Sequence, residues 1–144
     1  MRDKIFIDSN ILVYAVSKNS PKYEIVKQLL IQNVGKIIIT SQVINEFINI
    51  CIKKGILPPG DAFKNADEFM ETFEFSMITK SNIRLAMTVK MRYKYSYRDS
   101  LIIASALEND CSILHSENMQ HGQIIEGRLK IINPFEEQRQ GAKD

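Results

Sequence analysis

Lys4-Ile5-Phe6-Ile7-Asp8-Ser9-Asn10 is the stretch that decides the fold. Three consecutive apolar residues, β-branched or aromatic, read as a buried strand. Asp8 and two more polar residues follow at once, so Asp8 stands where the strand ends and the chain must turn. In open parallel sheets, ligands bind outside the carboxyl ends of the strands. The next run, Ile11-Leu12-Val13-Tyr14-Ala15, leaves in a new direction as a helical turn. Asp8 alone has two readings. It is either a helix N-cap, common after a strand, or a carboxylate of a site, and further acids along the chain favour the second.

The 144 residues suit one domain with a sizeable core. Hydrophobic residues at 44% and charged residues at 25% are ordinary for a soluble globular protein. No apolar run approaches the ~20 residues of a transmembrane helix. Met1 leads straight into the strand, with no room for a signal peptide, so a cytoplasmic location is expected. Cys51 and Cys111 form no metal-type pair spacing and are expected as reduced, buried thiols. The net charge of +2 neither demands nor excludes nucleic acid.

Further along, Ser20-Pro21 reads as a helix start, with serine as N-cap and proline at the first helical position. Val26, Leu29, Leu30 and Asn33 share one face of that helix, and Gly35 ends it. Lys36–Thr40 reads as a second strand. Ser41 offers an N-cap for a helix through about Lys54, with Val43, Phe47, Ile50 and Cys51 as its buried stripe. Gly55 and Pro58-Pro59-Gly60 break the chain, and Asp61 starts the next helix. The aromatics between Phe63 and Phe75 read as core. A short strand near Phe75–Ile78, a helix over Ser81–Tyr93, a loop through Arg98 and an apolar helix opened by Asp99 follow. Cys111–His115 and Leu129–Ile132 are the last strands. Residues 1–135 are expected to form the domain and 136–144 a polar tail. Strand–helix alternation predicts an α/β fold, a central parallel sheet with helices on both faces.

Four places combine an acid with a strand end or a helix start. Asp8 ends the first strand, and Glu46 lies on the first turns of the helix after the second. Asp99 opens a helix, and Glu117 follows the Cys111–His115 strand. In a parallel sheet these positions share one edge. Clustered carboxylates repel unless a cation sits among them, and a hard divalent ion accepts such oxygen ligands. The constellation fits metal-assisted cleavage of a phosphodiester.

Four segments together resemble the PIN domain, and within it the VapC-type toxin ribonucleases of toxin–antitoxin pairs. They are Ile7-Asp8-Ser9-Asn10-Ile11-Leu12-Val13-Tyr14-Ala15, Asn45-Glu46-Phe47, Tyr97-Arg98-Asp99-Ser100 and Ser116-Glu117-Asn118-Met119-Gln120-His121-Gly122. The resemblance implies a three-layer α/β/α fold and an Mg²⁺- or Mn²⁺-dependent endoribonuclease that leaves 5′-phosphate and 3′-hydroxyl ends. It also implies a homodimer and an antitoxin partner whose tail blocks the acidic pocket. Asp8, Glu46 and Asp99 match the family's main acids, and Asn10 its polar position in the first motif. Where such sequences usually carry aspartate, this chain has Asn118, whose amide can ligate a metal or hold a ligand water but adds no charge. Glu117 is then a candidate for part of that role.

The expected roles are metal ligation by Asp8, Asp99, Glu46, Glu117 and Asn118, with Asp8, Glu46 and Asp99 catalytic. Substrate contacts are assigned to Asn10, Arg98, Ser116 and His121, with Arg98 at the pocket rim. The basic, tyrosine-rich run from Lys90 to Arg98 suits single-stranded RNA, or packs its tyrosines on the core. A haloacid-dehalogenase-like phosphatase requires a second aspartate two positions after the first, where Asn10 stands. The alternative within the family is a catalytically weakened RNA-binding or antitoxin-binding protein.

Overall fold

The computed structural model describes residues 3–136. Strand β1 (Lys4–Ile7) leads into helix α1 (Ser9–Ala15), and helix α2 (Tyr23–Gln32) follows. A single 3₁₀ turn at Val34–Lys36 then feeds β2 (Ile37–Thr40). Next come α3 (Ser41–Lys53), α4 (Pro59–Thr72), β3 (Glu74–Ser76), α5 (Lys80–Tyr93) and α6 (Tyr97–Glu108). Strands β4 (Cys111–His115), β5 (Ile124–Ile125) and β6 (Leu129–Ile132) complete the described chain.

The six strands form one sheet in the order β3-β2-β1-β4-β6-β5. All pairs are parallel except β5–β6. Consecutive residues of β1 and all of β2 are buried, which requires cover on both faces of the sheet. The result is the expected three-layer α/β/α arrangement. β1 lies between β2 and β4, with Ile5 opposite Ile37 and Ile7 opposite His115. Because the three strands run parallel, Asp8, the start of α3 and Ser116 emerge at one edge. Asp8 is pinned there by its backbone N–H, which donates to the His115 carbonyl at 3.0 Å.

The core runs from Phe6, Ile7, Ile38 and Ile39 of the sheet into Ile11, Leu12, Phe47, Ile102, Ile103 and Leu107 of the helices. Phe47 of α3 meets Phe69 of α4 edge-on at 5.3 Å, and Phe69 stacks on Phe73 at 5.8 Å. Edge and offset contacts of this kind add ~0.5–1.5 kcal/mol beyond area burial. Phe63 departs from the core reading: it is 55% exposed.

Several boundaries differ from the sequence reading for local reasons. Ser20 does not cap α2; its Oγ accepts from the Lys22 N–H at 3.1 Å in a turn before the helix. α2 stops at Gln32, and Gly35 lies in the 3₁₀ turn beyond it. Ser41 caps nothing; its Oγ accepts the Ile78 N–H at 2.9 Å and ties α3 to the segment after β3. Pro58-Pro59 starts α4 rather than separating it from what precedes, since a proline in the first turn lacks only an N–H that would have no helical partner. Thr79 and Asn82 form a reciprocal capping box on α5. Tyr97 and Arg98 belong to the first turn of α6, capped by Ser96. β5 is an additional antiparallel edge strand. Past Glu136, the polar tail lies outside the described residues. Among those residues no helix is long and apolar enough to cross a membrane.

Candidate active site

Asp8 is 1% exposed at the end of β1. Its Oδ1 accepts the Ser9 N–H at 2.7 Å, so it does cap α1. Its Oδ2 accepts a hydrogen bond from Ser116 Oγ at 2.9 Å. Ser9 Oγ donates to Glu46 Oε1 at 3.0 Å, which joins the first turn of α1 to α3. Gln42, one helical turn before Glu46, donates from Nε2 to Glu46 Oε2 at 3.4 Å and to the Arg98 carbonyl at 3.3 Å. The carboxylates of Asp8, just after β1, and Glu46, on α3, are thereby brought to one place, where Asp99 of α6 joins them.

What they share is Arg98. Its Nε–H donates to Glu46 Oε2 at 3.0 Å. One terminal nitrogen donates to Asp8 Oδ2 at 3.2 Å and to Asp99 Oδ1 at 2.9 Å. The other donates to Asp8 Oδ1 at 2.7 Å, to Ser9 Oγ at 2.8 Å and to Glu46 Oε1. Burial works against the guanidinium's charge, but hydrogen bonds to Glu46 and Asp8, and the charge of Asp8, outweigh it and hold the group protonated beyond arginine's ordinary range. The side chain expected at the rim thus lies in the middle of the acids. It keeps 36% of its surface exposed.

A cleft of about 360 Å³ opens on this cluster, lined by Ser9, Asn10, Glu46, Asn49, Ile50, Arg98, Asp99 and Asn118. Asn10 and Asn118 therefore line the same cleft as Glu46 and Asp99. Ser116 is buried and touches Asp8 rather than the cleft. His121 lines a separate cleft with His115, and its Nδ1 accepts the Asn133 N–H at 3.0 Å. Glu117 is turned elsewhere: its carboxylate accepts from the Tyr14 hydroxyl at 2.7 Å and pairs with the Lys22 ammonium. That ammonium lies over the rings of Tyr14 and Phe135. Gln42 and Asn49 were missed by the sequence reading, although both lie at helical spacing from Glu46, on its side of α3.

The tyrosines of the basic run serve the fold in part. The Tyr93 hydroxyl and Arg92 both donate to Glu126, and the Tyr95 hydroxyl donates to Gln123 while accepting the Gln120 N–H. They fasten the α5–α6 connection to the turn around β5. Tyr97 is 43% exposed.

The donor set suits a hard divalent cation in kind. Three carboxylates reach one cationic group, and cleft amides stand beside them. In this structure the positive group among them is the Arg98 guanidinium. Asp8 and Glu46 each span two of its nitrogens and Asp99 binds one, so the acids line its edges instead of meeting at a point. Among the described residues no three His, Cys, Asp or Glu side chains form a ready-made ion-binding group.

A family model described as the PIN domain matches residues 5–124. The fold is similar to that of Mycobacterium tuberculosis VapC20, described as a sarcin-ricin loop cleaving toxin, with a TM-score of 0.67 at 14% identity over 77% of this chain and 87% of that one. It is similar to a toxin–antitoxin complex from Klebsiella pneumoniae, with a TM-score of 0.69 at 18% identity over 91% of this chain and 98% of that one. It is also similar to DNA-bound VapBC from Salmonella typhimurium, with a TM-score of 0.69 at 18% identity over 90% of this chain and 98% of that one. Among curated proteins none matches the sequence. At these identities the structural likeness is one of fold, and the family match covers most of the chain: the protein belongs to the PIN domain family.

Proposed function

We propose that the protein is an endoribonuclease dependent on Mg²⁺ or Mn²⁺, the toxin of a toxin–antitoxin pair, that leaves 5′-phosphate and 3′-hydroxyl ends. The observation that carries this reading is the approach of Asp8, Glu46 and Asp99 to one cationic group at the carboxyl edge of the sheet. Asp8, Glu46 and Asp99 would hold the metal, which supplies charge neutralisation at the scissile phosphate and a bound water of lowered pKa.

The chain's own residues set the stage for that chemistry. Ser116 and the Ser9 N–H fix the rotamer of Asp8. Ser9 Oγ and Gln42 orient Glu46. Asn10, Asn49 and Asn118 offer amide groups along the cleft wall to a sugar–phosphate backbone. Cognate antitoxin and a second copy of the chain are the proteins expected to bind it, and the cytoplasm is its expected location.

A second reading is favoured by Arg98. A site already neutralised by an internal cation suits a protein that binds RNA or antitoxin with weakened catalysis. Purified protein incubated with RNA in Mg²⁺ or Mn²⁺, and in EDTA, separates the two. Metal-dependent cuts that vanish in Asp8→Asn are expected. Binding without cuts in either metal selects the second reading.

A further inference from the structure

Arg98 makes six polar contacts through three nitrogens, and these engage both oxygens of Asp8 and both oxygens of Glu46. The remaining near neighbours of those oxygens are Ser9, Ser116 and Gln42, all of them donors. A divalent cation needs direct oxygen ligands at short range. It cannot take Asp8 and Glu46 while the guanidinium lies between them, because both positive groups require the same lone pairs.

The backbone around Arg98 is fixed. Its residue is in the first turn of α6, under the Ser96 cap, and its carbonyl accepts from Gln42. The side chain is a different matter. Although it lies among the acids, it keeps about a third of its surface exposed and lines the cleft, and arginine's long flexible stem can turn toward solvent by rotation about its own bonds. A two-position device follows, with one position inside on the carboxylates and one outside over the cleft.

We infer that Arg98 is a resident counter-cation that closes the acidic site, so that a divalent ion enters only as the guanidinium leaves and the two compete for Asp8, Glu46 and Asp99. This rests on the reading of these acids as a metal site. The arrangement keeps three clustered carboxylates compatible with the folded state without metal. It also sets a higher metal concentration for occupancy than the carboxylates alone would require. Released, the same guanidinium stands beside Asn10 and Asn118 at the cleft wall, where it can meet a phosphate.

The test is metal binding, read without RNA. Calorimetric titration with Mn²⁺ is compared for the native chain, Arg98→Gln and Asp8→Asn. Arg98→Gln is expected to bind Mn²⁺ about tenfold more tightly than the native chain, and Asp8→Asn not at all. Equal or weaker binding by a folded Arg98→Gln overturns the inference. A measurement on the native chain covers the case in which that variant does not fold. The Arg98 Nε–H resonance, held on Glu46, should move to the position of free arginine as Mg²⁺ is added. A resonance that stays unchanged while Mg²⁺ saturates the protein overturns the inference and leaves the metal reading intact. Absence of metal binding by the native chain and Arg98→Gln alike removes the metal reading and the inference with it.

Discussion

Ser116 Oγ donates to Asp8 Oδ2 at 2.9 Å, across the ends of two adjacent parallel strands. Both residues are essentially excluded from solvent. Asp8 therefore caps α1 and at the same time pairs with Arg98 beside Glu46, so the cap does not exclude the second reading open from sequence. A buried acceptor with this many donors around it is also structural. Asp8→Ala leaves the Ser9 N–H and Ser116 Oγ without their partner and removes two of the six contacts of Arg98. Loss of a cap costs ~0.5–2 kcal/mol and each stranded buried donor ~1–3 kcal/mol. Asp8→Asn keeps an oxygen for Ser9 and should fall nearer the low end. Urea denaturation of the two variants checks this; equal losses would show that the hydrogen bonds to Asp8 add nothing to stability. The same contrast makes Asp8→Asn the right variant for the cleavage assay.

Glu117 and Glu46 should separate cleanly. Glu117 closes a cluster with Tyr14 and Lys22, whose ammonium lies 5.0 Å from the Tyr14 ring centre and 4.8 Å from that of Phe135. Its hydrogen bond raises the pKa of Lys22 despite partial burial. Glu117→Gln is expected to lower stability by about 0.5–1 kcal/mol, as for partly exposed ion pairs, and to leave Mn²⁺ binding unchanged. Glu46→Gln is expected to do the opposite to metal binding and abolish it. Paired calorimetry and denaturation on the two variants decide the matter. Loss of Mn²⁺ binding in Glu117→Gln would return Glu117 to the ligand set.

How much of this was legible beforehand depends on how local each signal is. β1 and β2 were readable because strands buried on both faces are continuous apolar runs, and Phe6 or Ile38 needs no partner to announce itself. β5 was not, since two residues, Ile124 and Ile125, carry no period. Its pairing instead depends on the turn at Glu126 and Gly127, both at positive φ. Asp8 and Asp99 were legible relative to the sheet because they sit at element ends, positions that topology fixes, whereas Glu46 lies on the second turn of α3 and was legible from its nearness to the end of β2. The direction of Arg98 was not readable. A charge beside Asp99 in sequence points outward by default, and only the meeting of three acids from separate elements turns it inward. Glu117 failed for the converse reason: Lys22 and Tyr14, far away in sequence, claim it first.

The two thiols give a simple check on the core. Both are buried and free, and burial pushes the Cys111 thiol up to about 12 and raises that of Cys51. Thiolate is the reactive form. At pH 8 neither should react with a disulfide reagent in the native protein, and both should react at once in denaturant. Rapid labelling of Cys111 under native conditions would contradict its position at the start of β4.

His115 supplies the pH dependence of stability. It is 7% exposed at the end of β4, its Nδ1 has no partner among the described residues, and burial lowers its pKa to about 4 although a backbone bond to Ile132 opposes the shift. The folded state therefore holds the imidazole neutral, whereas the unfolded chain takes up a proton near pH 6.5. Between those values the unfolded state binds more protons, so stability falls as pH falls. The contribution is fully present above about pH 7 and is lost progressively down to about pH 4. By pH 5 the loss is on the order of 2 kcal/mol. Other groups titrate in the same range, so the quantity to measure is a difference. His115→Leu should lose less stability than the native chain between pH 7 and pH 5, by about that amount, in urea denaturation at the two pH values. Parallel pH profiles for the two proteins would mean that His115 gains a proton in the folded state as easily as in the unfolded one, and that its environment is wetter than its place behind the site implies.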